Sequence, residues 1–152
     1  MTDTTTGVFT GYSTVLDNWI QLGLASGRAI SCSFHATQPD ANEILPPSFQ
    51  DLLDTLDAGT PIEVTDYPIA LTVPTPKRQI YETVRTIPAG ESRSLDSLSR
   101  SIPFESDSSI DTVRAALGTN PIPLLIPDHR VTEPVGTTPP TVRERLREIE
   151  RL

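Results

Sequence analysis

At 152 residues the chain can form one compact domain or two small ones sharing an interface, and its net charge is -8. A hydrophobic share of 36% with 15 prolines and few aromatics points to a lean core and well-populated loops, while clear apolar periodicity excludes a disordered chain. No stretch approaches the roughly 20 apolar residues that span a bilayer, and the start MTDTTTGVFTG lacks a basic or apolar leader region, so the expectation is a cytoplasmic protein without a membrane partner.

A short flexible start is expected to give way to NWIQLGLASGRAISCSF. There Ile20, Leu22 and Leu24 alternate before the Ala25-Ser26-Gly27-Arg28 turn and Ile30, Cys32 and Phe34 after it, which predicts a hairpin with one buried face. Pro46-Pro47-Ser48 opens a helix with Ser48 as N-cap, Phe49, Leu52, Leu53 and Leu56 as its inner stripe, and Gly59 as its stop. IEVTDYPIALTV reads as an extended connection.

The rest is mostly helical. Thr75-Pro76 caps a helix with Ile80, Tyr81, Val84 and Ile87 inward, stopped at Pro88-Ala89-Gly90. Ser94 starts a second helix with Leu95, Leu98 and Ile102 inward, and residues 107–118 form a third with Ile110, Val113 and Leu117 inward. Two short helices joined by a polar link are compatible with a helix-turn-helix and equally with a small helical bundle. The apolar run Leu124-Leu125-Ile126 reads as a buried strand ending at Pro127-Asp128-His129-Arg130. Thr141-Val142-Arg143-Glu144 makes a capping box for a final helix that uses Val142, Leu146, Ile149 and Leu152 and pairs its Arg and Glu residues at i, i+4.

Charge and reactive residues narrow the chemistry. Residues 1–72 hold 9 acidic groups against Arg28 alone, whereas residues 73–152 hold 11 of each sign. Eleven of the 12 basic residues are arginine, and with the acidity this hints at a halophile's interior. The lone Cys32 excludes an internal disulfide and reads as a small buried hydrophobe. With His35 and His129 as the sole histidines, no metal and no cofactor are expected.

Two stretches, TPKRQIYETVRTIPAGESRSLDSLSR and VRAALGTNPIPLLIPDHRV, resemble the O6-alkylguanine-DNA alkyltransferases, or methylated-DNA-protein-cysteine methyltransferases, and their alkyltransferase-like relatives. The shared order is a helix opening with Arg-Gln, an I-P-x-G-E turn, a helix-turn-helix, an Asn-Pro turn and an active-site P-C-H-R-V. The likeness is loose over residues 18–152 and good over 74–131. It implies an α/β protein with a small ribonuclease-H-like sheet domain over residues 1–72 and a helical DNA-binding domain with a helix-turn-helix over 73–152.

The family takes an alkyl group from a flipped guanine onto a cysteine thiolate. Here Asp128 stands at that cysteine's position, so ordinary alkyl transfer to cysteine is excluded at this site. The resemblance carries over Asn120, Pro127, His129 and Arg130 as the rest of a lesion pocket, with Glu150 as the glutamate that partners the histidine. Leu95 replaces a tyrosine that presses on the target phosphate, Asp111 an arginine that fills the vacated stack, and Arg114 a small glycine. The glycine-rich loop over the guanine gives way to TEPVGTTPPT.

Double-stranded DNA, alkylated or not, is the partner this implies, contacted by Arg93, Ser94, Ser97, Ser108, Ser109, Thr112 and Arg114, with Arg85 and Arg100 as further cations. A repair protein is the second partner class and a monomer the expected state. Three readings of the site stay open: a folded relic whose buried carboxylate finds partners nearby, a lesion sensor without repair, and an alkyl acceptor that forms an aspartyl ester. A degenerate scaffold that binds another protein is the alternative to all DNA-directed readings. An open cavity at Asp128 beside a basic stripe over residues 93–114 would favour DNA; a filled cavity and an acidic face would favour the scaffold.

Overall fold

A computed structural model describes residues 6–40, 43–102 and 110–152. Strands β1 (Gly7–Ser13), β2 (Asn18–Ala25) and β3 (Arg28–His35) form an antiparallel meander, and the two-residue β4 (Glu43–Ile44) adds to β1 in parallel, giving the order β3-β2-β1-β4. The expected flexible start is therefore a strand from Gly7 onward, with Phe9 on the buried face. The β2–β3 turn forms where expected because Ser26 and Gly27 both adopt positive φ, at 50° and 76°.

The buried face of β3 differs from the expected alternation. A bulge at Ile30 of β3, opposite the Gly23–Leu24 step of β2, shifts the register so that Leu22 opposes Cys32 and Leu24 opposes Ala29. Ala29 is consequently buried and Ile30 is 40% exposed.

Helix α1 (Pro47–Asp57) covers the sheet with Phe49, Leu52, Leu53 and Leu56, the expected stripe. It approaches closely at Gly11, where a Cβ would lie 2.3 Å from the Leu53 side chain. Its N-cap is Pro46, with Pro47 at the first helical position, and Ser48 does not cap. The following connection contains a 3-10 turn at Val64–Asp66 and then runs along β3, where Ala29 N donates to Pro68 O and Ala70 N to Ala29 O, each at 2.9 Å.

Helices α2 (Thr75–Arg85), α3 (Leu95–Ser101) and α4 (Ile110–Leu117) pack on one another through Ile80, Tyr81, Val84, Leu95, Leu98, Val113 and Leu117. Ser94 caps α3 as expected, its hydroxyl accepting from Ser97 N at 3.1 Å. Pro74, not Thr75, is the N-cap of α2. Ile110 is 37% exposed, contrary to its expected inward position. The start of the third predicted helix, with Ser108 and Ser109, lies outside the described residues.

Leu124-Leu125-Ile126 is buried but not a strand: Leu124 turns at φ 85°, and Asp128–Arg130 form a 3-10 turn. Helix α5 (Pro140–Glu150) begins at Pro139, with no side-chain cap from Thr141. Its arginines turn to backbone carbonyls in place of i, i+4 carboxylates: Arg143 to Val131 O and Thr132 O, Arg145 to Val15 O, and Arg147 to His129 O. The buried apolar residues of both halves form one continuous cluster.

Candidate functional site

The turn after α4 is organised by Asn120. Its Oδ1 accepts from Ile122 N at 3.0 Å, and its Nδ2 donates to Ile126 O and Asp128 Oδ2, each at 3.0 Å. This draws the Asp128 carboxylate inward until the residue is 1% exposed. A carboxylate so buried needs donors, and the segment from Gly136 to Thr138 supplies them. Thr137 N donates to Asp128 Oδ2 at 2.9 Å, and the Thr138 hydroxyl donates to Oδ1. The Thr137 hydroxyl closes the ring by donating to Asn120 O at 2.8 Å.

Gly136 makes this closure sterically possible, since a Cβ there would lie 2.1 Å from both Cγ and Oδ2 of Asp128. The TEPVGTTPPT segment thus folds down onto Asp128, although it lacks the glycine-rich sequence expected of a lid. Gly136, Thr137 and Thr138 escaped the sequence reading. Their one signal was two hydroxyl residues beside a glycine, in a segment that had to satisfy a buried acid.

His129 and Arg130 face the other way, toward Glu150. His129 Nε2 and Glu150 Oε2 share a hydrogen bond of 2.7 Å, and Arg130 Nε donates to Glu150 Oε1 at 2.8 Å. Gly90 N adds a further donor to Oε1 at 2.9 Å. Burial pushes the Glu150 carboxyl up, but the His129 bond and charge, then Arg130 and Gly90, outweigh it and bring it down to about 2. The remaining Arg130 nitrogens donate to Ile87 O at 3.0 Å and Ile62 O at 2.8 Å, so the guanidinium joins the sheet half to the helical half. His129 Nδ1 is buried with no partner among the described residues.

Of the expected pocket residues, Asn120 and Asp128 therefore form one network and His129, Arg130 and Glu150 a second, with Pro127 buried next to Asp128. Cys32 is buried on β3. Burial, reinforced by the Asp128 charge, pushes its thiol well above the ordinary range.

The candidate DNA-facing arginines are largely engaged. Arg93 folds along α3, donating to Ser97 Oγ at 3.1 and 2.9 Å and to the Ser101 hydroxyl. Arg100 pairs with Asp96 at 2.6 Å and Arg114 with Asp111 at 3.5 Å, both pairs exposed. Arg85 donates to the carbonyls of Val64 and Tyr67, so it braces the connection. Leu95 is buried, and its backbone N–H donates to Glu133 Oε1 at 3.0 Å, placing an acid at the start of α3. Thr112 lies half-buried on α4.

The sequence model of the 6-O-methylguanine DNA methyltransferase DNA-binding domain matches residues 75–151. The chain belongs to this family. Comparison with curated proteins finds no match. Among solved structures, Mycobacterium tuberculosis O6-methylguanine methyltransferase is similar at 22% identity and TM-score 0.72, covering 95% of this chain and 93% of that one. The M. tuberculosis OGT in complex with DNA gives 21% and 0.71, covering 95% and 92%. The O6-methylguanine-DNA methyltransferase of the hyperthermophilic archaeon Pyrococcus kodakaraensis gives 16% and 0.67, covering 96% and 100%. These likenesses establish the methyltransferase fold, and the family match covers both Asp128 and Glu150.

Proposed function

We propose that this methyltransferase-family chain is an alkyltransferase-like DNA-binding protein that transfers no alkyl group and no longer admits a flipped base. The observation that carries the reading is the sealed Asp128 carboxylate, 1% exposed with three donors. Alkyl transfer needs an exposed nucleophile with a free electron pair. A carboxylate is intrinsically weaker than a thiolate, and hydrogen bonds to both oxygens lower its reactivity further, which also argues against the aspartyl-ester route. Asn120, Pro127, Asp128, His129, Arg130 and Glu150 then act as a structural relic of the lesion pocket.

DNA contact, in this reading, falls to Arg93, Ser94, Ser97, Thr112 and Arg114 on a helix-turn-helix made by α3 and α4, together with Ser108 and Ser109, which lie outside the described residues. The division at residues 72 and 73 separates two lobes of one shared core. The engagement of Arg93, Arg100 and Arg114 favours a second reading, a scaffold that binds another protein. Incubation with duplex DNA carrying labelled O6-methylguanine tests the loss of transfer: the label stays on the DNA and the protein mass is unchanged. Label on Asp128 would refute the proposal.

A further inference from the structure

We propose that a groove on the opposite face of α2 from α4 binds a small phosphate-bearing anion. The groove has a volume of about 480 Å³ and is lined by Arg28, Arg78 and Arg85, with Glu82 and the Ile69-Ala70 connection. Arg28 is the only basic residue before residue 73, and its side chain makes no hydrogen bond or ion pair among the described residues. Its position is fixed nonetheless, because the adjoining Ala29 is bonded on both sides to the 68–70 connection. Arg78 and Arg85 lie two turns apart on one face of α2.

Backbone carbonyls hold both helix arginines in place. Arg78 Nη2 donates to Leu71 O at 3.1 Å, and Arg85 Nη2 donates to Val64 O and to Tyr67 O, the latter at 2.8 Å. Each guanidinium keeps unspent N–H groups, and the buried Nε of Arg85 has no acceptor. Three cations share one concavity with a single carboxylate, Glu82, which forms no ion pair with any of them. Arg100 and Arg114, by contrast, are each matched with an aspartate. Planar guanidinium forks suit the oxygens of a phosphate, and holding them on carbonyls reduces the ordering cost of binding.

A duplex lying on α3 and α4 would meet α2 from the side of Ile80 and Lys77, which faces α4. The groove is therefore assigned to a free anion, an assignment that rests on the DNA-facing side proposed above. Titration of the full chain with inorganic pyrophosphate at constant ionic strength, followed by calorimetry, tests this. Saturable one-to-one binding that weakens at least tenfold in Arg28→Glu and in Arg78→Gln, with unchanged thermal midpoints, is expected. No saturable binding, or equal binding by the wild type and both variants, overturns it. Arg28-dependent binding of an unmodified duplex without pyrophosphate binding also overturns it, assigning the groove to nucleic acid instead.

Discussion

Asp128 is the hub of a buried hydrogen-bond network. Its carboxylate gathers Asn120, Thr137 and Thr138, and Gly136 is the residue that lets the strap come close enough. Gly136→Ala is expected to cost about 3 kcal/mol, through a clash and two buried bonds weakened together. Urea unfolding measures this, and hydrogen exchange at the Thr137 amide should accelerate in parallel. Glu150 provides a pH signature. Its carboxyl lies below the unfolded value of 4.5, so it contributes stability above that pH and loses it as pH falls toward about 2. The contribution is on the order of 3 kcal/mol. Glu150→Gln should therefore lower stability at neutral pH and flatten its fall below pH 4.5; an acid limb identical to the wild type would contradict this assignment.

At the scale of elements, inner stripes were easier to read than boundaries. Burial repeats with the helix or strand period, so Phe49, Leu52, Leu53 and Leu56, and likewise Ile20, Leu22 and Leu24, stood out. Caps are single-residue events. At α1, α2 and α5 a proline opens the helix where a hydroxyl residue competed for the assignment, and a fixed φ served better than a side-chain acceptor. The bulge that exposes Ile30 inserts one residue into β3 opposite the Gly23–Leu24 step, and strict alternation along β3 gives no sign of it. Ser94 is the one hydroxyl cap that forms as expected. Ser94→Ala should cost about 1 kcal/mol of stability, read from the denaturation midpoint.

Across the whole molecule, the two halves are tied by polar groups as well as by a common core. Arg130 reaches Ile62 O, Arg85 reaches Val64 O and Tyr67 O, and Cys32 N donates to Pro121 O. The family could be recognised from linked motifs in order, and Asp128 drew attention as the residue where the resemblance expects a cysteine. The closed pocket could not, because it depends on Gly136 to Thr138 returning over a residue 8 to 10 positions earlier. In the proposed reading, that closure leaves no room for a flipped base. The decisive measurement is equilibrium binding, at low and high salt, to two duplexes differing only in one O6-methylguanine. The sealed Asp128 site predicts equal affinity for both at each salt concentration; tighter binding to the alkylated duplex, abolished by Asp128→Ala, would contradict it.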